Sequence, residues 1–139
     1  MLTRIAVDAL RAIERHGAET YPNECCGALI AVNGIIVEAV SLANTATASP
    51  SRRFSIGPGD YTLAEKRAVA LLGTLEGFYH SHPDEAARPS QYDLDHAWPN
   101  LAYIIISVRA GMPGDIQSWY LREDRTGFDK GELTWVTAS

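Results

Sequence analysis

The 139-residue sequence is poor in the features that mark several large protein classes. It has only two cysteines, adjacent as Cys25-Cys26, so neither a disulfide framework nor a Cys-x-x-Cys metal ribbon can be built from them. It has no basic excess: 12 Lys and Arg against 17 Asp and Glu give a net charge of −5, which argues against a polyanion and so against nucleic acid as partner. It has no long apolar run. The longest, such as 101–106, are strand-sized, far short of the roughly 20 residues a membrane helix needs, so no membrane partner is expected. No signal-peptide pattern is seen, because Met1-Leu2-Thr3-Arg4 leads straight into an amphipathic segment. Repeats, linkers and low-complexity tails are absent too. What remains is ordinary globular composition, 46% hydrophobic and 21% charged, which excludes wholesale disorder. The expectation is one cytoplasmic domain over 1–139 with a sizeable core.

Leu2, Ile5, Ala6, Ala9 and Ile13 recur at helical spacing with Asp8, Arg11 and Glu14 opposite them. They predict a first helix capped by Thr3 and ended by Gly17. Apolar runs at 27–32 and 35–42 flank Asn33-Gly34; both turn residues tolerate positive φ, which predicts a β-hairpin. The Ser/Thr/Ala/Pro stretch 44–53 reads as a loop and as the most mobile segment of the first half. Gly57-Pro58-Gly59-Asp60 predicts a helix entrance with Asp60 as cap, followed by an apolar side of Tyr61, Ala64, Ala68, Leu71 and Leu72 that stops near Gly73. A strand over 75–80, a polar loop over 83–89, a short helix over 90–98 and a buried strand over 101–108 follow. After a turn at Gly111-Met112-Pro113-Gly114, strands over 116–121 and 133–136 complete the order. The class is α/β, with a mixed sheet between helices.

The chemistry is concentrated in Gly77-Phe78-Tyr79-His80-Ser81-His82-Pro83 and in Pro89-Ser90-Gln91-Tyr92-Asp93. Alternate side chains of an extended strand share a face, so His80 and His82 form a pair suited to a metal ion. Asp93 follows a short loop that can fold back and offer a carboxylate as third ligand. Two His and one carboxylate leave a fourth position for water, the catalytic rather than the structural zinc pattern. A proton acceptor is then needed. Glu24, ahead of the first buried strand and beside a Pro-Asn turn, is the candidate, although 80 − 24 = 56 positions separate it from His80. Ser90 can donate a hydrogen bond to the oxyanion that develops on the attacked carbonyl.

Each residue also has a plain reading. Two His two apart, taken alone, are more often solvated or core side chains than ligands. Ser90-x-x-Asp93 is equally a helix capping box, and an Asp93 turned to a metal is not expected to close that box as well. Glu24 alone is an ordinary loop carboxylate. His96, one helical turn from Asp93, either supports a ligand or is solvated, and His16 fits favourable placement at a helix end. Cys25 and Cys26 read as small buried groups rather than nucleophiles. Asp84, Glu85 and Arg88 are a solvated loop or a rim that guides substrate; Trp98 and Trp119 read as core or sheet-face aromatics.

Taken together, Glu24, His80-Ser81-His82-Pro83, six further residues, Ser90, two residues and Asp93 resemble the JAMM (MPN-plus) zinc metalloprotease motif, with no departure at the motif positions. The likeness covers about residues 21–108. Tyr21-Pro22-Asn23-Glu24-Cys25-Cys26-Gly27 resembles the Tyr-Pro-x-Glu-x-Cys-Gly opening of the compact prokaryotic branch, which lacks the insertions of eukaryotic deubiquitinases and is similar to the CysO-cysteine peptidase. The resemblance implies a curved mixed sheet flanked by helices, cytidine-deaminase-like in fold. It implies one Zn2+ per chain on His80, His82 and Asp93, with Glu24 as general acid/base and Ser90 supporting the oxyanion. It further implies, as substrate, the C-terminal tail of a ubiquitin-like or sulfur-carrier protein, cut at a peptide or isopeptide bond. Zinc rather than iron or manganese follows from the family and the ligand types. The rival is a non-catalytic MPN-type binding module for a ubiquitin-like partner. A zinc deaminase is excluded, because its His-x-Glu and Pro-Cys-x-x-Cys signatures do not occur. A homodimer is neither required nor excluded.

Overall fold

Residues 1–44 and 57–137 are described by a computed structural model. In chain order they form β1 (Leu2–Ala6), α1 (Val7–Thr20), β2 (Cys26–Val32), β3 (Ile35–Leu42), α2 (Pro58–Ala70), β4 (Thr74–Pro83), α3 (Gln91–His96), β5 (Ala102–Arg109), β6 (Met112–Leu121), β7 (Phe128–Lys130) and β8 (Glu132–Val136). The strands make one mixed sheet in the order β7-β6-β5-β4-β2-β3-β1-β8. The loop expected over 44–53 lies, beyond Asn44, outside the described residues. Among the described residues no helix is long and apolar enough to cross a membrane.

The Asn33-Gly34 turn forms as its chemistry dictates. Both residues take positive φ, 53° and 77°, and Val32 pairs with Ile35 across the hairpin. Strands β2, β4 and β5 occupy the middle of the sheet, and the period of two divides their side chains between two cores. On one face α1 packs Leu10 and Ile13 with Cys25, Leu29, Tyr79, Ile104 and Ile106. On the other α2 lays Ala64 against Cys26, Ala28 and Phe78. Adjacent Cys25 and Cys26 therefore enter different cores, both as free, buried thiols.

The start of the chain is not a helix. Leu2–Ala6 is β1, paired in parallel with β8 from Leu2↔Glu132 to Ala6↔Val136 and with β3 at Ile5↔Ile36. The spacing of Leu2, Ile5, Ala6 and Ala9 runs across a strand–helix junction: Thr3 and Ile5 are buried as alternate strand residues, Ala9 and Ile13 as helical ones. Thr3 caps nothing; its Oγ1 donates to Ser118 Oγ at 2.9 Å, and the N-cap residue Ala6 has no side-chain bond to offer. Gly17 does not end α1 either. It lies inside the helix where a Cβ would sit 3.0 Å from Val108 Cγ2. In α2 the cap is Gly57 with Pro58 at the first helical position; proline lacks the N–H that would be orphaned there, which leaves Asp60 in the first turn rather than at the cap. The β5–β6 hairpin turns at Ala110-Gly111, φ 50° and 81°, so β6 begins at Met112, earlier than its alternation indicates.

Candidate metal centre

His80 and His82 project from β4 on the α2 face and are buried. Cys26 pairs with His80 and Gly27 with Tyr79; carrying that antiparallel register two residues further sets Glu24 opposite His82, on the same face. Ser81 holds the two segments together just ahead of β2. Its N–H donates to the Cys25 carbonyl at 3.1 Å, and its Oγ accepts the Cys25 N–H at 2.8 Å. As a result Glu24, His80 and His82 bring ligand atoms within 4.8 Å of one another.

Asp93 arrives from α3. Its Oδ2 lies 3.1 Å from His80 Nε2 and 3.2 Å from His82 Nε2, and the two Nε2 atoms are 3.1 Å apart. The helix that carries it opens with a closed capping box: Ser90 Oγ accepts the Asp93 N–H at 3.1 Å, and Asp93 Oδ2 accepts the Ser90 N–H at 2.9 Å. Box and approach to the imidazoles coexist, against the expectation that Asp93 must choose. A carboxylate oxygen has more than one acceptor site, so Oδ2 takes the Ser90 N–H and still faces both Nε2 atoms. The cap is what aims it.

His82 Nδ1 lies 2.8 Å from the Ala86 carbonyl. A carbonyl only accepts, so Nδ1 carries the proton and the neutral ring keeps its lone pair on Nε2. Burial pushes the Glu24 carboxyl up to about 8, with His82 pulling it down and Asp93 and Glu85 pushing it further up. For His82 burial acts downward, but the bond to Asp93, the Asp93 charge, the Ala86 carbonyl and Glu24 carry its pKa above the ordinary value. For Asp93 burial acts upward and is overcome by His80, His82 and the Ser90 N–H, which hold its carboxyl far below the usual range.

The donor set fits a divalent metal ion. A tetrahedral site with bonds of about 2.0–2.1 Å has ligand-to-ligand edges of about 3.3–3.4 Å, close to the triangle of 3.1–3.2 Å formed here. Glu24 is 3% exposed and its Oε1 has no hydrogen-bond partner among the described residues, an unusual state for a carboxylate with a purely structural role. The centre opens on a cavity of about 590 Å³, with His80 and Asp93 on its wall beside Tyr61, Phe78, Tyr92 and Trp98.

Comparison with known proteins gives the family. The family described as prokaryotic homologs of the JAB domain matches residues 6–122. The chain belongs to that family. The matched span contains Glu24, His80, His82, Ser90 and Asp93, and leaves out β7, β8 and all but the end of β1. This prokaryotic JAB chain is 33% identical over 122 residues to tail tip assembly protein K of Escherichia phage N15; the match covers 88% of the chain but 43% of that protein, so the chain spans less than half the length of this relative. It is 32% identical over 110 residues to a desampylase of Haloferax volcanii, covering 74% of the chain and 78% of the relative. Among solved structures, protein DSY2949 of Desulfitobacterium hafniense matches with a TM-score of 0.84 at 28% identity, over 99% of this chain and 94% of that one.

Other polar and aromatic residues of the JAB chain sort themselves around the centre. His96 turns to Tyr92 rather than to Asp93: its Nδ1 is 2.8 Å from the Tyr92 carbonyl and the rings stack at 4.1 Å. His16 sits within α1, not at its end, and bonds Tyr79 Oη at 2.8 Å. Asp84 pins the loop after β4 by accepting from Tyr21 Oη at 2.6 Å and from the Ala110 N–H at 2.8 Å. Glu85 adds negative charge near Glu24. Trp98 is not core; it is 53% exposed on the cavity rim. Trp119 is half-buried on the sheet and donates Nε1–H to the Ala87 carbonyl at 3.0 Å. Burial pushes the thiols of Cys25 and Cys26 up to about 11 and about 12, which keeps both protonated at neutral pH.

Proposed function

We propose that this chain is a zinc-dependent peptidase or isopeptidase that cuts at the C-terminal tail of a ubiquitin-like or sulfur-carrier protein, acting as one domain over 1–139 in the cytoplasm. The observation that carries the reading is a triangle of two imidazole nitrogens and a carboxylate oxygen at 3.1–3.2 Å, with the buried Glu24 bringing a second carboxylate within 4.8 Å of both imidazoles. Three protein ligands and an adjacent non-ligand carboxylate are the pattern of a catalytic rather than a structural zinc site. The desampylase relative supports hydrolysis as the reaction and a ubiquitin-like protein as substrate.

His80 Nε2, His82 Nε2 and Asp93 Oδ2 would hold the metal. Bound there, zinc supplies a Lewis acid for the scissile carbonyl and lowers the pKa of water. Glu24 manages the protons: its carboxylate accepts one from the attacking water and returns it to the departing amine. A pKa raised to about 8 by burial makes it a ready donor in the second role, and a cation beside it favours the charged, accepting form for the first. Ser90 Oγ accepts the Asp93 N–H and so keeps its own proton to donate to the oxyanion. The cavity beside His80 and Asp93 receives the extended tail.

The test is the intact mass of a sulfur-carrier protein extended beyond its terminal Gly-Gly, and of a ubiquitin-like isopeptide conjugate, after incubation with zinc-loaded chain. Wild type is expected to remove the added residues or the conjugate, and Glu24→Gln to leave both intact. No mass change with wild type on either substrate contradicts the reading. The 33% identity to a phage tail tip assembly protein favours a second one, a binding module used in assembly, for which retention of the carrier without cleavage is the expected result.

A further inference from the structure

We propose that Ser107 and Trp119 are positioning residues of the metal centre: they fix the backbone of residues 85–87 so that the Ala86 carbonyl holds His82 in the orientation and tautomer that ligation requires. This rests on the reading of His82 as a metal ligand. Three consecutive carbonyls are taken up by donors from three strands. Glu85 O accepts from Ser107 Oγ of β5 at 2.6 Å, Ala86 O from His82 Nδ1 of β4 at 2.8 Å, and Ala87 O from Trp119 Nε1 of β6 at 3.0 Å.

The sheet places these donors on one face. His82 pairs with Ser107 and Phe78 with Tyr103 between β4 and β5, and Tyr103 pairs with Trp119 between β5 and β6; paired residues point the same way. Residues 84–90 have no strand or helix of their own, so their position is set by such contacts. Ala86 O also accepts the Arg88 N–H at 2.9 Å, which turns the segment back on itself at the residue that meets His82. Ser107 is buried, and its hydroxyl donates to the Glu85 carbonyl, a bond whose loss leaves a partly buried acceptor less well satisfied. The indole of Trp119 has a single N–H, committed to Ala87. With the flanking carbonyls pinned, the Ala86 oxygen cannot follow a rotation of the His82 ring, so the ring stays with Nε2 toward His80 and Asp93.

If the three bonds merely stiffened a loop, their loss would change stability and leave the metal affinity of the folded chain alone. Zinc affinity is therefore measured by competition with a chromophoric chelator for wild type, Trp119→Phe and Ser107→Ala. Ile30→Val, a core change on a buried residue of β2, is the control for lost stability alone. Zinc binding is expected to weaken about tenfold in Trp119→Phe and in Ser107→Ala, the low end of the range for partners that orient a ligand, and to stay at the wild-type value in Ile30→Val. A second measurement needs no variant: in alkaline buffer, where the ring is neutral, the imidazole ¹⁵N spectrum of metal-free wild type is expected to show His82 protonated on Nδ1. Wild-type affinity in both variants, or an Nε2-protonated His82, overturns the inference and leaves the metal reading standing. Wild type that binds no zinc overturns both.

Discussion

Glu24 carries a carboxyl that burial keeps protonated up to about pH 8 in the metal-free chain, against an ordinary value of 4.5. Between those values the native state holds a proton that the unfolded chain has released, so stability falls as pH rises and the fall is complete above about 8. His82 acts in the same direction above its ordinary 6.5, because Asp93 raises its pKa too. Thermal unfolding of metal-free protein is expected to show a melting temperature that declines with pH across this window, and Glu24→Gln, neutral throughout, is expected to lessen the slope. Parallel profiles for the two proteins would contradict the assignment of that proton to Glu24. The thiols of Cys25 and Cys26, raised to about 11 and about 12, are expected to resist alkylation at neutral pH until the chain unfolds; rapid labelling of native protein would refute their burial. At this scale much of the centre was legible, since two of the chain's four histidines stand two apart in His80-Ser81-His82 with Glu24 and Asp93 at the motif's spacing, and the structure brings His80 and His82 together with each carboxylate. Ala86, Ser107 and Trp119 were not, because a backbone carbonyl is the same acceptor in every residue and leaves no mark in the sequence.

The element that aims Asp93 is α3, only six residues long and too short to be stable on propensity alone. Its capping box ties helix stability to the direction of the carboxylate, and two variants separate the roles. Ser90→Ala is expected to lower stability by about 1 kcal/mol and to weaken zinc binding through a looser Asp93. Asp93→Asn keeps an oxygen for the Ser90 N–H but loses the charge that faces His80 and His82, so zinc binding is expected to be lost outright and the metal-free chain to melt below wild type. Retained zinc in Asp93→Asn would remove Asp93 from the ligand set. Elements with local signals were readable from sequence: Asn33-Gly34 specifies its hairpin through two positive-φ residues, and the run at 101–108 marks a strand covered on both faces. Leu2–Ala6 was not, because its main partner β8 lies about 130 residues away and its apolar spacing merges with that of α1. The three residues of β7 are too few to show a period.

Across the whole molecule the sheet gathers what the chain keeps apart: Glu24 before β2, the imidazoles on β4, Asp93 from α3, and loop anchors on β5 and β6. Because the three proposed ligands meet only in the folded chain, metal binding is linked to folding. At a free zinc concentration about 100 times Kd the native state gains about 2.7 kcal/mol. Addition of a chelator is expected to lower the melting temperature of wild type and to leave His82→Ala unmoved, while an equal response in both would contradict ligation by His82. The register Cys26↔His80 is the feature that makes this arrangement one site, since a one-residue slip would turn Glu24 to the α1 face. The most direct measurement is the zinc stoichiometry of folded protein by native mass spectrometry. One zinc per chain is expected in wild type and in Glu24→Gln, and none in His80→Ala, His82→Ala or Asp93→Asn; zinc-free wild type, or full occupancy in those three variants, would contradict a metal centre built on these residues.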